Sequence, residues 1–121
     1  MDSNLDFDKM GGLLPAVIQD SASGEVLMLG FMNPEAFQKT QESGYVTFHS
    51  RTRNQLWTKG ETSGNRLRVI RAQTDCDRDT LLFLVAVEGE GLVCHRGTRS
   101  CFTEPVEVSA GEPVASRGNI A

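Results

Sequence analysis

Seven consecutive apolar residues, Leu81 to Val87 (LLFLVAV), constrain this chain more than any other feature. A run of that length between polar flanks reads as a central strand, covered on both faces or lying under a partner. The segments on either side of it carry all three cysteines: Cys76 before it, Cys94 and Cys101 after it. Whatever the chain does with its thiols must therefore be arranged around one buried strand.

The rest of the pattern is mainly β. Leu14 to Gln19 and Glu25 to Met32 read as two strands joined by turn residues Ser21 to Gly24, hence a hairpin. Asn33-Pro34-Glu35 is a helix start, with an N-cap side chain, proline at the first helical position and an acid in the first turn. Ser43-Gly44 stops that helix, the one convincing helix in the chain. Tyr45 to His49 and Leu56 to Lys59 read as strands, and His49 as a packed strand residue. Thr62 to Asn65 is a turn, and Arg66 to Gln73 is a strand with Leu67 and Val69 on one face and Arg66 and Arg68 on the other. Residues 1–12 are expected to form a loose lead-in and residues 104–121 a short extended tail with a frayed end. The expected fold is mainly β, on the α+β border. It is a compact, strongly bent antiparallel sheet or barrel-like core with one main helix, in a single domain over residues 1–121.

Composition narrows the function classes. A net charge of −4 argues against general affinity for nucleic acid. No apolar run approaches the roughly 20 residues of a membrane span, and the opening MDSNLDFDK lacks the shape of a signal peptide. A cytoplasmic location is expected, where cysteines serve as metal ligands or reactive thiols rather than a disulfide framework. Six of the twelve basic residues fall between Arg51 and Arg71, where Glu61 is the only acid. One basic face on an acidic chain suits a small phosphorylated ligand.

The stretch Asp75 to Asp79 reads D-C-D-R-D. On an extended backbone Asp75, Asp77 and Asp79 share one side and Cys76 points to the other, an oxygen cluster and a sulfur ligand for two ions of different character. The competing reading is a solvated acidic turn with a small buried cysteine. Fully extended, Asp75 and Asp79 stand roughly 13 Å apart, so the backbone must bend, or the ion must use two carboxylates and water. Magnesium tolerates such a watery shell. The missing turn glycine and terminal glutamate, replaced by Thr80 and Ala86, exclude an EF-hand. Cys76, Cys94 and Cys101 are separated by seventeen and then six residues, with no C-x-x-C pair. Three thiolates leave a fourth tetrahedral position of zinc open, as in catalytic sites, whereas three unrelated buried thiols are the plain alternative. His95 directly follows Cys94 and suits general acid–base work near neutral pH. In Ser50 to Gly64, Arg51, Arg53 and a serine can hold a phosphate, and Trp57, the single tryptophan, can stack on a planar base. The bland alternative makes those arginines a solvated face and Trp57 part of the core.

Taken together, these segments resemble phosphoribosyl-AMP cyclohydrolase. The resemblance runs from about Leu27 to Phe102 through L-M-L-G-F-M-N, S-R-T-R-x-x-L-W-x-K-G-E-x-S-G, D-C-D-x-D and C-H-x-G-x-x-S-C-F, in that order. It implies hydrolysis of the N1–C6 bond of the adenine ring of 1-(5-phosphoribosyl)-AMP, giving the formimino-carboxamide intermediate of histidine biosynthesis. It further implies a zinc ion held by Cys76, Cys94 and Cys101, a magnesium ion held by Asp75, Asp77 and Asp79, and His95 beside the metal. Substrate contacts would fall to Arg51, Arg53, Trp57, Lys59, Glu61 and Ser63. Arg96 stands where the family usually has threonine, either as an added phosphate contact or facing solvent. Family members are homodimers with the zinc site at the subunit boundary, so an intertwined homodimer with a small nucleotide as its substrate is expected.

The bottom-up chemistry agrees. Bound zinc lowers the pKa of water from about 15.7 to near 7, and attack at C6 of adenine is the step zinc deaminases also use. Two other readings compete. One is a non-catalytic, zinc-stabilised nucleotide-binding module. The other, a nucleotide deaminase, is disfavoured because the H-x-E…P-C-x-x-C signature is absent.

Overall fold

A computed structural model describes residues 4–109. Strand β1 (Leu14–Asp20) alternates strictly, with Leu14, Ala16 and Ile18 fully buried and the residues between them only half-covered. It pairs antiparallel with β2 (Val26–Met32) through the expected turn. Asn33 then caps helix α1 (Pro34–Ser43): its side chain accepts a bond from the Ala36 N–H at 2.8 Å, and Gly44 ends the helix in the left-handed region at φ 81°. Strands β3 (Thr47–Ser50) and β4 (Gln55–Thr58) form a separate two-stranded ribbon, followed by β5 (Leu67–Thr74) and β6 (Leu81–Val87).

The apolar run is the central strand it was expected to be. The four-stranded sheet has the order β2-β1-β6-β5, and β6 buries Leu81, Phe83 and Val85 on one face while Leu82, Leu84 and Ala86 are half-covered on the other. The expectation of a wholly antiparallel sheet is corrected, because β1 and β6 run parallel, Ala16 opposite Leu81 through Asp20 opposite Val85. Parallel neighbours need a long connection. Here the chain between them contains α1, the ribbon and β5, ample length to bring β6 back in the same direction. The sheet ends on β2 and β5 as its two edges.

The stretch Tyr45 to His49, read as one strand, is divided between two partners. Tyr45 forms a bridge with Arg68, and the Val46 N–H donates to the Leu67 carbonyl at 3.0 Å, so this end lies along β5. Only from Thr47 does the chain pair with β4. That handover joins ribbon to sheet. Thr40 of α1 secures the same corner: its hydroxyl accepts from the Thr47 N–H at 2.9 Å and donates to the Ala36 carbonyl at 2.9 Å. In β5 the register slips between Val69 and Arg71, leaving Ile70 unpaired and half exposed.

Part of the expected lead-in is tied down. A 3-10 turn at Asp8–Met10 stands before β1, and Leu5 and Phe7 pack against the core. Residues 104–109 carry no regular secondary structure and are exposed; the remainder of the expected tail lies outside the described residues. Among the described residues no helix is long and apolar enough to cross a membrane.

Gly30 owes its place to sterics rather than to its backbone angle. It sits opposite Ala16 on the buried face of the hairpin, and a Cβ there would come within 2.5 Å of the Phe48 ring. Phe48, 1% exposed, thus packs into a slot left by two small residues. Gly30→Ala should lower stability by about 1–3 kcal/mol, the usual cost of overpacking a filled core. Urea unfolding checks this, and a companion Phe48→Leu change should recover part of the loss. An unchanged midpoint for Gly30→Ala would show that the ring has room to move.

Candidate active site

Phe48 carries the core outward to the site. Its ring lies 5.4 Å from that of Trp57, which is 42% exposed, and the Lys59 ammonium stands 5.6 Å over the Trp57 ring. Trp57 is therefore neither wholly core nor wholly surface. It forms one wall of a cavity of about 380 Å³ with Lys59, Glu61 and Ser63, and the facing wall is Val93, Cys94, His95 and Gly97. Segments far apart in the chain thus bring together six of the residues singled out from the sequence. A cavity of this size, with a flat aromatic wall, a cation and an imidazole, fits a heteroaromatic nucleotide base.

The two arginines divide. Arg53 lines an adjoining cavity of about 440 Å³ with Ser50, Trp57 and Glu61. Arg51 instead lays its guanidinium 4.2 Å over the Phe31 ring and borders neither cavity. Both arginines lie in the turn 51–54 that joins β3 to β4 and is closed by Asn54 at φ 53°. His49, on β3, bonds Asn54 through Nε2 at 3.1 Å and leaves a buried Nδ1 without a partner.

Cys94 and Cys101 sit on one loop whose two limbs are cross-bonded: Val93 N–H to Arg99 carbonyl at 3.2 Å, and Cys94 N–H to Thr98 carbonyl at 3.0 Å. The second limb is fastened to β2, with the Cys101 N–H donating to the Leu27 carbonyl at 2.7 Å. Each thiol acts on the other's ionisation, and the two separate in character. The Arg96 N–H, then Thr98 and the Cys101 thiol, favour the Cys94 thiolate and pull its pKa down. Partial desolvation, then the neighbouring Cys94, pushes the Cys101 thiol up, although the residue itself is exposed. Two thiols on one cross-bonded loop, one of them inclined to ionise, make a candidate ligand pair for a soft metal.

Cys76 is elsewhere, at the opposite end of β6. It is exposed, donates to Asp77 Oδ1 at 2.8 Å, and its pKa is raised, first by that bond. Among the described residues no group of three His, Cys, Asp or Glu side chains is placed to hold a metal. One chain supplies two of the three thiols together.

The Asp75–Asp79 segment is a turn, the bent alternative that the reach of an extended chain had left open, so the aspartates and Cys76 do not alternate across a strand. Arg78 adopts φ 63°, the Asp79 N–H donates to Asp75 Oδ1 at 3.1 Å, and the Asp75 N–H donates to the Thr80 carbonyl at 3.1 Å. Partial desolvation works against ionising Asp75, but the N–H bonds led by Asp79 outweigh it and lower its pKa. The Lys9 ammonium lies 3.1 Å from Asp79 Oδ2 and 3.9 Å from Asp77 Oδ2. Two carboxylates thus converge on one cation-sized position, with an ammonium standing in it. That donor set fits a hard divalent cation using two carboxylates and water.

The sequence profile of the phosphoribosyl-AMP cyclohydrolase family matches residues 28–103. The chain belongs to this family. Every site residue singled out above from the sequence, from Arg51 to Cys101, lies inside the matched range. The chain is 58% identical over 110 residues to the histidine biosynthesis bifunctional protein HisIE of Bacteroides thetaiotaomicron, covering 91% of this chain and 51% of that protein. It is 60% identical over 98 residues to HisIE of Escherichia coli strain K12, covering 81% of this chain and 47% of that protein. The chain spans about half the length of these curated relatives.

Two residues beside these features escaped the sequence reading. Lys9 gave no signal, because it lies sixty-eight positions before Asp77 in a polar lead-in. Asn65 was visible only as a turn residue in T-S-G-N. It is 9% exposed, borders the cavity and accepts from the Glu90 N–H at 2.7 Å, stitching the Gly60–Asn65 turn to the segment that leads to Cys94. Gly60, at φ 79°, makes this possible, since a Cβ there would run into the Asn65 backbone. Asn65→Ala leaves the Glu90 N–H unpaired and should cost about 1–2 kcal/mol of stability in urea unfolding. Asn65→Asp, which keeps the acceptor, should lose less. Equal losses for both would remove the hydrogen bond as the cause.

Proposed function

We propose that this chain hydrolyses the N1–C6 bond of the adenine ring of 1-(5-phosphoribosyl)-AMP, yielding the formimino-aminoimidazole-carboxamide ribonucleotide of histidine biosynthesis. The observation that carries the reading is the cavity in which Trp57 and Lys59 face Cys94 and His95, in a chain of the cyclohydrolase family. Trp57 stacks on the base, and Lys59 and Arg53 attract its two phosphates. Glu61 and Ser63 complete the polar wall. N1 of this substrate carries a ribosyl group, so the ring is electron-poor at C6. Water adds its oxygen to C6, the C6–N1 bond breaks, and N1 ends protonated. His95, exposed at the cavity edge, is the group proposed to take the water's proton and return one to N1.

Zinc would be held by Cys94 and Cys101 of one chain and by Cys76 of the partner subunit, and magnesium by the Asp75, Asp77 and Asp79 turn. Zinc there supplies Lewis acidity that makes water a nucleophile near neutral pH. Two observations support a homodimer that shares its zinc site. Strand β6, of seven residues, separates Cys76 from the Cys94 loop by roughly 23 Å of extended chain. The outward face of the sheet also presents a continuous apolar row, Leu29 beside Val17 beside Leu82, with Leu29 43% exposed. A second copy set on that face would lie next to the Asp75 turn, because Val17, Leu82 and Asp75 border one hollow. The reading places the enzyme in the cytoplasm, with its biosynthetic substrate.

An assay on phosphoribosyl-AMP tests the activity. Purified protein should hold about one zinc per chain, open the ring without releasing ammonia, and lose activity to a zinc chelator. Cys94→Ala should lose both zinc and activity while remaining folded. Ring opening by a metal-free Cys94→Ala protein would sink the zinc reading; ammonia release would favour a deaminase, and nucleotide binding without turnover a binding module.

A refolding experiment tests the shared site. Inactive Cys76→Ala and Cys94→Ala chains are unfolded, mixed equally and refolded together. Half the dimers are then mixed, each with one complete site of two, so about a quarter of full activity should return. No regained activity, in a sample shown to contain mixed dimers, would refute a site built from two chains.

A further inference from the structure

The loop carrying Cys94 and Cys101 is fastened to the sheet by one guanidinium. Arg99 places Nη2 3.0 Å from Asp20 Oδ1, donates from Nε to Glu25 Oε1 at 3.1 Å, and donates from Nη1 to the Gly91 carbonyl at 3.1 Å. Asp20 and Glu25 are the two ends of the β1–β2 turn, and Gly91 opens the cysteine loop. A single side chain therefore spans three backbone segments. Its anchor is firm: the Asp20 side chain is 7% exposed, and its other oxygen accepts from the Ser23 N–H at 2.7 Å.

The backbone of Arg99 is equally committed. Its carbonyl accepts from the Val93 N–H next to Cys94. The following residue, Ser100, donates its hydroxyl to the Val26 carbonyl at 2.8 Å, just ahead of Cys101. Of the residues between the two cysteines, Arg99 thus holds both limbs at once, Gly91 and Val93 on the first and its own limb on the second. The contrast on the same loop is Arg96, whose ion pair among the described residues, to Glu104 at 3.4 Å, has both partners well exposed. Such a pair contributes little. Removing the Arg99 guanidinium instead strands a buried carboxylate, and lysine cannot replace a planar group that serves three acceptors.

We propose that Arg99 is a positioning residue for the thiol pair, holding Cys94 and Cys101 at the separation and orientation in which both sulfurs bind one metal ion. This rests on the zinc reading above, although Arg99 touches neither sulfur nor substrate. Groups that orient metal ligands typically contribute about 10–100-fold to metal affinity.

Cobalt(II) in place of zinc gives a readout independent of turnover, the absorption from thiolate-to-cobalt charge transfer. Titrations would compare the wild-type protein with Arg99→Ala, Arg99→Lys and, as a same-loop control, Arg96→Ala, all well below the melting temperatures of their metal-free forms. Arg99→Ala should weaken cobalt binding by about 10–100-fold, Arg99→Lys should recover only part of the loss, and Arg96→Ala should bind like wild type. A purely structural role would lower the melting temperature and leave the affinity of the folded protein alone. A loss under about threefold in folded Arg99→Ala therefore overturns the inference. If that variant does not fold, the same threshold applied to Arg99→Lys decides it. No charge-transfer band in the wild-type protein would instead overturn the zinc reading, and this inference with it.

Discussion

The burial of strand β6 is the constraint on which the rest of this molecule depends. It is hydrogen-bonded on both edges and fully covered on the face that carries Leu81, Phe83 and Val85. A strand held in that way cannot shift by a residue without turning its apolar face outward. Both of its ends are consequently fixed in space: the acidic turn with Cys76 at one, the approach to the Cys94 loop at the other. The chemistry-bearing loops are displaced from each other by a rigid, dry spacer, and their relative positions are as well defined as the core itself.

The second element is the path by which core packing becomes site geometry. Gly30 and Ala16 leave a slot, Phe48 fills it, and Phe48 supports Trp57 at the surface. The flat wall of the cavity is thus aimed by side chains that never touch solvent. Opposite it, Asn65 and Arg99 do for the loops what Phe48 does for the ribbon, using hydrogen bonds where no apolar contact is available. A pocket whose walls come from loops acquires rigidity in this way without lying inside the core.

Much of this was legible in the residues. Asn33, Pro34 and Gly44 mark the ends of α1 because capping is local chemistry, and seven apolar residues mark β6 as a central strand, one face buried and the other half-covered. The co-location of Trp57, Lys59, Glu61, Ser63, Cys94 and His95 followed from recognising ordered motifs, not from periodicity. What stayed hidden was non-local. Parallel pairing of β1 with β6 depends on how the intervening chain travels, and the division of Tyr45 to His49 between two partners leaves no mark on an alternating pattern. A bend in D-C-D-R-D was one of two options set by the reach of an extended chain, but where it bends was not legible, because φ 63° at Arg78 is invisible in an arginine. Arg99 read as one more basic residue, since its buried partner lies seventy-nine positions away.

The Lys9 ammonium at Asp77 and Asp79 gives the acidic turn a counter-charge that belongs to the chain. Carboxylates crowded into a turn repel one another when nothing neutralises them. Here the neutralising group travels with the protein, clipped beside the turn by the bond from the Asp6 N–H to the Arg78 carbonyl at 2.8 Å. The turn is accordingly formed with its counter-charge in place, and a dissolved cation would have to displace the ammonium rather than fill a gap. Because the resident charge is tethered, dilution and dialysis do not deplete it. Any competing cation therefore meets a charge whose local concentration is set by the fold and not by the solution.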